Sequence, residues 1–139
     1  MSVNLYSTFT SEITVRPDDI DMNNHVHFSK YLDYFLAARY EQMERDYKVS
    51  MEEFLEMRLT WVASSMHINY KRALKLGDIA IVSTQVESFN GAQIAVNFWI
   101  HNKNSNKIAA DGNGVFTLLN IDNGRPTRIP DKILDKYSI

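Results

Sequence analysis

The sequence predicts an α+β domain in which a curved antiparallel sheet of five to six strands wraps around one long central helix. Two observations carry that expectation. One stretch with helical period, Phe28 to Met43, lies in the first third of the chain. From Leu59 onward the apolar period switches to two, and the alternating segments are separated by short turn signals. Strands joined by short turns are antiparallel neighbours. Such a sheet needs its apolar face covered, and one long helix laid across it is sufficient cover.

In chain order, Ser11 to Arg16 alternates with Ile13 and Val15 on one face and reads as a strand, which Pro17 ends. A polar loop, Asp18 to His25, follows. Phe28, Tyr31, Leu32, Phe35 and Leu36 then fall at i, i+3, i+4, i+7 and i+8, the period of an amphipathic helix from about Ser29 to Arg45. The deeper members of this stripe are expected in the core. Met51 to Met57 reads as a short second helix, with Ser50 as N-cap and Glu53 completing a capping box. Leu59, Trp61 and Ala63 share one parity and Met66, Ile68 and Tyr70 the other. The flip at Ser64-Ser65 predicts a β-bulge. Leu76-Gly77-Asp78 reads as a turn, Ile79 to Phe89 as a strand, and Asn90-Gly91 as a hairpin turn. Ile94, Val96, Phe98 and Ile100 alternate cleanly, Asn102 to Asn106 turns the chain, and Lys107 to Ile121 is the last long strand. After the turn at Asp122-Asn123-Gly124, Pro130 opens a short terminal helix.

Residues 1–139 fit one domain, without internal repeat or linker. The absence of cysteine excludes a disulfide framework, a Cys-ligated zinc site and a thiol nucleophile. Met1 to Phe9 lacks the pattern of a signal peptide, and no apolar run approaches a membrane span, so a cytoplasmic location and no membrane partner are expected. A formal net charge of -2 with scattered basic residues gives no electrostatic footprint for nucleic acid. Seven Tyr, seven Phe and two Trp are many for a small domain, and they fit either a well-filled core or aromatics lining an interface or a pocket.

The segment Asp21-Met22-Asn23-Asn24-His25-Val26 brings a carboxylate, an amide and an imidazole together just before the long helix. A carboxylate can activate water or attack a carbonyl, an amide can orient that water, and an imidazole can move a proton near neutral pH. The start of a helix offers unpaired N–H groups, so those near His25 and Val26 are expected to face a developing oxyanion. Each residue also has a structural reading. Asp21 can close an Asx turn, Asn23 or Asn24 can supply a left-handed backbone, and His25 can simply be exposed. His25-x-His27 with Asp21 lacks a third fixed metal ligand, so no metal site is assigned. Asp18, Asp19 and Asp21 lack the glycine of a calcium loop. No G-x-S-x-G elbow surrounds Ser64 or Ser65. Lys71, Arg72 and Lys75 are placed to meet phosphates or to be a solvated strand end.

Val15 to Arg39 resembles the signature region of the hotdog-fold thioesterases, the 4-hydroxybenzoyl-CoA thioesterase-like superfamily. The loop reads Asp19-Ile20-Asp21-Met22-Asn23-Asn24-His25-Val26, and the helix after it carries Tyr31, Phe35 and Arg39. Asp19 to Tyr31 is similar to the loop of plant acyl-acyl-carrier-protein thioesterases. Ile68-Asn69-Tyr70-Lys71-Arg72, running to Gly77-Asp78, is a second point of likeness. The resemblance implies a hotdog fold and hydrolysis of an acyl-CoA or acyl-carrier-protein thioester. It implies Asp21, Asn23 and His25 as the catalytic set. Val26 at the helix start, Phe28 and Tyr31 nearest the loop, and the small Ser64 and Ser65 at the bulge are expected around the substrate. No cofactor is implied beyond the CoA or phosphopantetheine of the substrate. Edge pairing into a homodimer or homotetramer is expected, because an unpaired edge is a liability. Two departures stand out: Asn24 replaces a glycine frequent in bacterial members, and Ala73-Leu74 replaces the Glu-Cys pair of the plant enzymes. A hotdog hydratase is the alternative enzyme. Its histidine lies five residues after the aspartate, where this chain has Val26. A non-catalytic acyl-CoA-binding module is the alternative outside catalysis.

Overall fold

A computed structural model describes residues 6–139. The first five residues of the Met1–Phe9 segment lie outside the described residues. Five strands, β1 (Thr8–Thr14), β2 (Leu59–Tyr70), β3 (Ile79–Asn90), β4 (Gln93–Asn102) and β5 (Ile108–Asn120), form one antiparallel sheet in the order β1-β3-β4-β5-β2. The helices are α1 (Lys30–Arg45), α2 (Met51–Glu56) and α3 (Asp131–Tyr137).

The elements form largely for the local reasons read above. Ser50 caps α2 by accepting from the N–H of Glu53 at 3.2 Å. Gly91, rather than Asn90, takes the left-handed backbone of the β3–β4 hairpin, with φ at 62°. The parity flip in β2 is a register shift against β5 between Ala63 and Ser65. Pro130 precedes α3 as its N-cap.

Three expectations need correction. The first strand runs Thr8–Thr14 rather than Ser11 to Arg16, because its register is set by pairing with Gln85 to Ile79 on β3. Second, the turn at Leu76-Gly77-Asp78 does not join neighbours. Residues 71–78 carry the chain from β2 at one edge to β3, which pairs with β1 and β4. Third, the helix face is rotated. Tyr31, Tyr34, Phe35, Ala38, Arg39, Gln42 and Met43 are buried, whereas Phe28 and Leu36 are 64% and 53% exposed. Phe28, Leu36 and Tyr40 instead form an exposed row along the flank of α1, with Leu32 between them partly buried against the core.

The core lies between α1 and the concave face of the sheet. Val82 and Val86 of β3, with Ile94, Val96, Phe98 and Ile100 of β4, point inward at period two. Phe35 meets Phe98 edge to face, with centroids 4.6 Å apart. Gln42 is fully buried and satisfied: its Nε2 donates to Ser11 Oγ at 3.1 Å, and its Oε1 accepts from Thr84 Oγ1. That side chain ties α1 to β1 and β3 in one register. Gly112 lets β2 lie close to β5, since a Cβ there would stand 1.9 Å from the carbonyl oxygen of His67.

Candidate active site

The loop between β1 and α1 is closed at its base and held from within. Ile20 and Val26 form an isolated antiparallel bridge. The N–H of Asp21 donates to His25 O at 2.8 Å, and the N–H of Asn24 donates to Asp21 O at 3.1 Å. Asn24 supplies the left-handed residue that this reversal needs, with φ at 61°. Asp21 Oδ1 accepts from the N–H groups of Asn23 at 2.9 Å and His25 at 3.2 Å. Asp21 therefore fills the Asx role and still has a second oxygen. Oδ2 has no hydrogen-bond partner among the described residues.

Beneath the loop, Asp19 is buried and organises its ends. Its Oδ2 accepts from Tyr34 Oη at 2.6 Å and from the N–H of Arg16 at 3.0 Å, and its carbonyl accepts from the N–H of His27 at 2.8 Å. Burial, reinforced by the bond to Asp19, pushes the Tyr34 phenol well above its ordinary pKa. His27 turns to the helix: its Nδ1 accepts from the N–H of Ser29 at 3.2 Å and lies 2.8 Å from Ser29 Oγ.

A cleft of about 350 Å³ opens beside this loop, lined by Asp21, His25, Val26, Phe28 and Tyr31 on one side and Tyr70, Lys71, Arg72 and Ala73 on the other. The far wall is fastened to the near one. Val26 N–H donates to Leu74 O at 2.8 Å, Leu74 N–H donates to Tyr31 Oη at 3.2 Å, and Tyr70 Oη donates to Phe28 O at 3.0 Å. Tyr31 and Tyr70 meet edge to face at 5.3 Å. Burial raises the Tyr31 phenol, with the Leu74 N–H acting in the opposite sense, so the ring is neutral near pH 7.

The structure thus gathers Asp21, His25, Val26, Phe28 and Tyr31 at one cleft. Asn23 stands exposed on the loop and does not line it. Ser64 and Ser65 are exposed on edge strand β2, at the bulge, and Ser64 Oγ is hydrogen-bonded to Thr117 Oγ1. The oxyanion donors anticipated at His25 and Val26 are engaged, with Asp21 Oδ1 and Leu74 O respectively. The Phe28 N–H, in contrast, has no acceptor among the described residues. Sequence reasoning missed Tyr70 as a wall of the cleft. Its signals were the period-two register of β2 and the family likeness of Ile68 to Arg72, neither of which says where the strand ends in space.

A second, more apolar cavity of about 390 Å³ lies farther along α1, between Leu36, Arg39, Tyr40 and Met43 of the helix, Met51 of α2, and Trp61, Ala63, Ile94 and Phe116 of the sheet. Ala63, rather than Ser64 or Ser65, is the bulge-side residue that lines it.

Two relatives and one solved structure share this frame. The long-chain acyl-CoA thioesterase FadM of Escherichia coli (strain K12) is 21% identical over 126 residues, 91% of this chain and 94% of that protein. The acyl-CoA thioesterase YbgC of Haemophilus influenzae is 32% identical over 87 residues, 62% of this chain and 63% of that protein. The DHNA-CoA thioesterase of Staphylococcus aureus superposes with a TM-score of 0.87 at 19% identity, covering 94% of this chain and 89% of that one. The fold is therefore the hotdog fold. Residues 15–137, which include the whole loop, the cleft and both cavity-forming helices, match the model of one family: the chain belongs to the thioesterase-like superfamily.

Proposed function

We propose that this protein hydrolyses acyl-CoA thioesters, releasing the free acid and the CoA thiol. The observation that carries the reading is the state of Asp21 within a family-matched cleft: one carboxylate oxygen is held by two backbone N–H groups and the other is unpartnered. A water between Oδ2 and the thioester carbon gives its proton to Asp21 as its oxygen attacks. The carbonyl oxygen, becoming an oxyanion, is met by the N–H of Phe28. Collapse breaks the C–S bond, and the proton held by Asp21 leaves with the thiolate. Asn23, whose N–H holds Asp21 Oδ1, helps fix the carboxylate rather than orienting the water, and His25 on the cleft wall assists proton movement. Lys71 and Arg72 at the mouth suit the phosphates of CoA or of a carrier-protein phosphopantetheine arm. No cofactor beyond that thiol carrier enters the scheme. A cytoplasmic site of action fits a substrate of this kind, and no helix among the described residues is long and apolar enough to cross a membrane.

The working unit in this reading is a homodimer joined along β2. That strand is a sheet edge, and beside it runs the uncovered row Phe28, Leu36 and Tyr40, with Val62 and Tyr70 exposed on the strand itself. Antiparallel pairing of β2 with a second copy sets the Tyr70 end of one strand beside the Leu59 end of the other. Tyr70 walls the Asp21 cleft, and Trp61 and Ala63 wall the apolar cavity. The cleft of one copy then meets the cavity of the other, and the exposed Ser64 and Ser65 lie on the seam.

The deciding experiment is Asp21→Asn against a panel of acyl-CoAs of graded length, with thiol release as readout. Loss of a general base lowers turnover by about a hundredfold or more, with the fold unchanged. Turnover close to wild type in a folded variant would place the chemistry elsewhere.

A further inference from the structure

Four buried polar side-chain atoms among the described residues, Arg39 Nη1, Tyr47 Oη, Trp61 Nε1 and Tyr137 Oη, have no well-formed hydrogen bond and meet only one another, Arg39 facing Tyr47 and Trp61 facing Tyr137. All four belong to one cluster. Tyr47 and Tyr137 stack with centroids 4.5 Å apart, and Trp61 stacks on Tyr137 at 6.2 Å. The Arg39 guanidinium carbon lies 5.4 Å from the Tyr47 ring centre and 6.0 Å from that of Tyr137. Arg39 is only 8% exposed, and among the described residues it has no ion pair.

A buried cation without a counter-charge is strongly unfavourable, and two aromatic faces offset only part of that cost. The imbalance has a sign. Arginine offers five N–H donors, the indole one and the phenols two, against two phenol oxygens as acceptors. Even with each phenol oxygen accepting from its neighbour, donors remain in excess. The group that would satisfy the cluster is anionic and accepts several bonds at once, and a carboxylate does both.

Arg39 and Trp61 also line the apolar cavity, whose remaining walls include Leu36, Met51, Ile94 and Phe116. Its walls are mostly apolar and suit methylene groups, and Arg39 is the one charged residue among them. We infer that this cavity receives the far end of the acyl group, and that Arg39 selects thioesters whose acyl chain ends in a carboxylate. The inference rests on the thioesterase reading above, and the same charge logic does not apply to the Asp21 cleft, where the acid is the protein's own.

The test compares wild-type kcat/KM on ω-carboxyacyl-CoA, ω-hydroxyacyl-CoA and plain acyl-CoA matched in chain length. In parallel, calorimetry compares the corresponding non-hydrolysable S-alkyl and S-(ω-carboxyalkyl) thioethers of CoA. The ω-carboxy series is expected to be preferred by about tenfold or more at its best length, in both turnover and binding. Arg39→Met should abolish that preference, read as the ratio of kcat/KM between the ω-carboxy and plain acyl-CoAs of one length, and Arg39→Lys should keep part of it. Equal turnover and equal binding across the pairs at every length would overturn the inference, and this comparison needs no variant that must fold. A preference that survives in Arg39→Met while the oligomer dissociates would also overturn it, assigning Arg39 to the interface. A binding preference without thiol release from any substrate would instead sink the hydrolase reading and leave the carboxylate site standing.

Discussion

Replacing Tyr34 by Phe removes one oxygen and keeps the ring, so it isolates the 2.6 Å bond from Tyr34 Oη to Asp19 Oδ2 beneath the Asp21 loop. Tyr34 is 5% and Asp19 6% exposed, so bulk water cannot replace the lost donor. A buried hydrogen bond to a charged acceptor contributes about 1.5–3 kcal/mol. Asp19 Oδ2 keeps the Arg16 N–H at 3.0 Å, which places the expected loss near the lower half of that range, about 2 kcal/mol. For a domain of this size that corresponds to a fall in Tm of about 6 °C. The sign of the pH dependence follows from the phenol, which burial and then Asp19 push above its ordinary value in the folded state. A group raised on folding contributes stability that is complete below its unfolded pKa, about 10, and is lost as pH rises beyond it. The gap between wild type and Tyr34→Phe should therefore hold steady from about pH 7 to 9 and narrow above about 10. Urea unfolding followed by tryptophan fluorescence, at equal protomer concentration, measures it. A gap below about 0.5 kcal/mol at neutral pH, or one that does not narrow in alkali, would refute the argument.

Three further outcomes are expected. Gly112→Ala would push a Cβ to 1.9 Å from the His67 carbonyl oxygen, so β2 must separate from β5; a loss of about 3 kcal/mol or more, read by thermal melting, is expected, and an unchanged Tm would contradict the close approach. Ser50→Ala removes the acceptor for the Glu53 N–H and should cost about 1 kcal/mol, while Ser50→Gly or Ser50→Asp should cost much less. Light scattering at micromolar concentration should show at least a dimer, and a stable monomer would remove the seam along β2.

What the sequence determined by itself was what depends on near neighbours. A 3.6-residue period placed α1 to within a residue of Lys30–Arg45, and alternation placed β3, β4 and β5. A parity flip located the bulge between Ala63 and Ser65, since one inserted residue must reverse every following side chain. The Asp21–Val26 segment was legible as a candidate site because its residue types and spacing carry chemistry whatever surrounds them. Tertiary structure decided everything that depends on residues far apart in the chain. Leu59–Tyr70 became the edge beyond β5, not the neighbour of β3, because the residue 71–78 connection crosses the sheet. That crossing brings Tyr70, Lys71, Arg72 and Ala73 opposite Asp21 and Tyr31, a wall about 40 residues away that no local period announces. The same holds for hydrogen bonds: Leu74, distant in sequence, takes the Val26 N–H that a local reading leaves free for an oxyanion. Arg39 is the sharpest case. It is charged and yet buried, with the rings of Tyr47 and Tyr137 at 5.4 and 6.0 Å from its guanidinium carbon. Period fixes which residues share a face of α1, but only the packing partners of that face decide which side is covered, because burial is a property of the space around a residue and not of its neighbours in the chain.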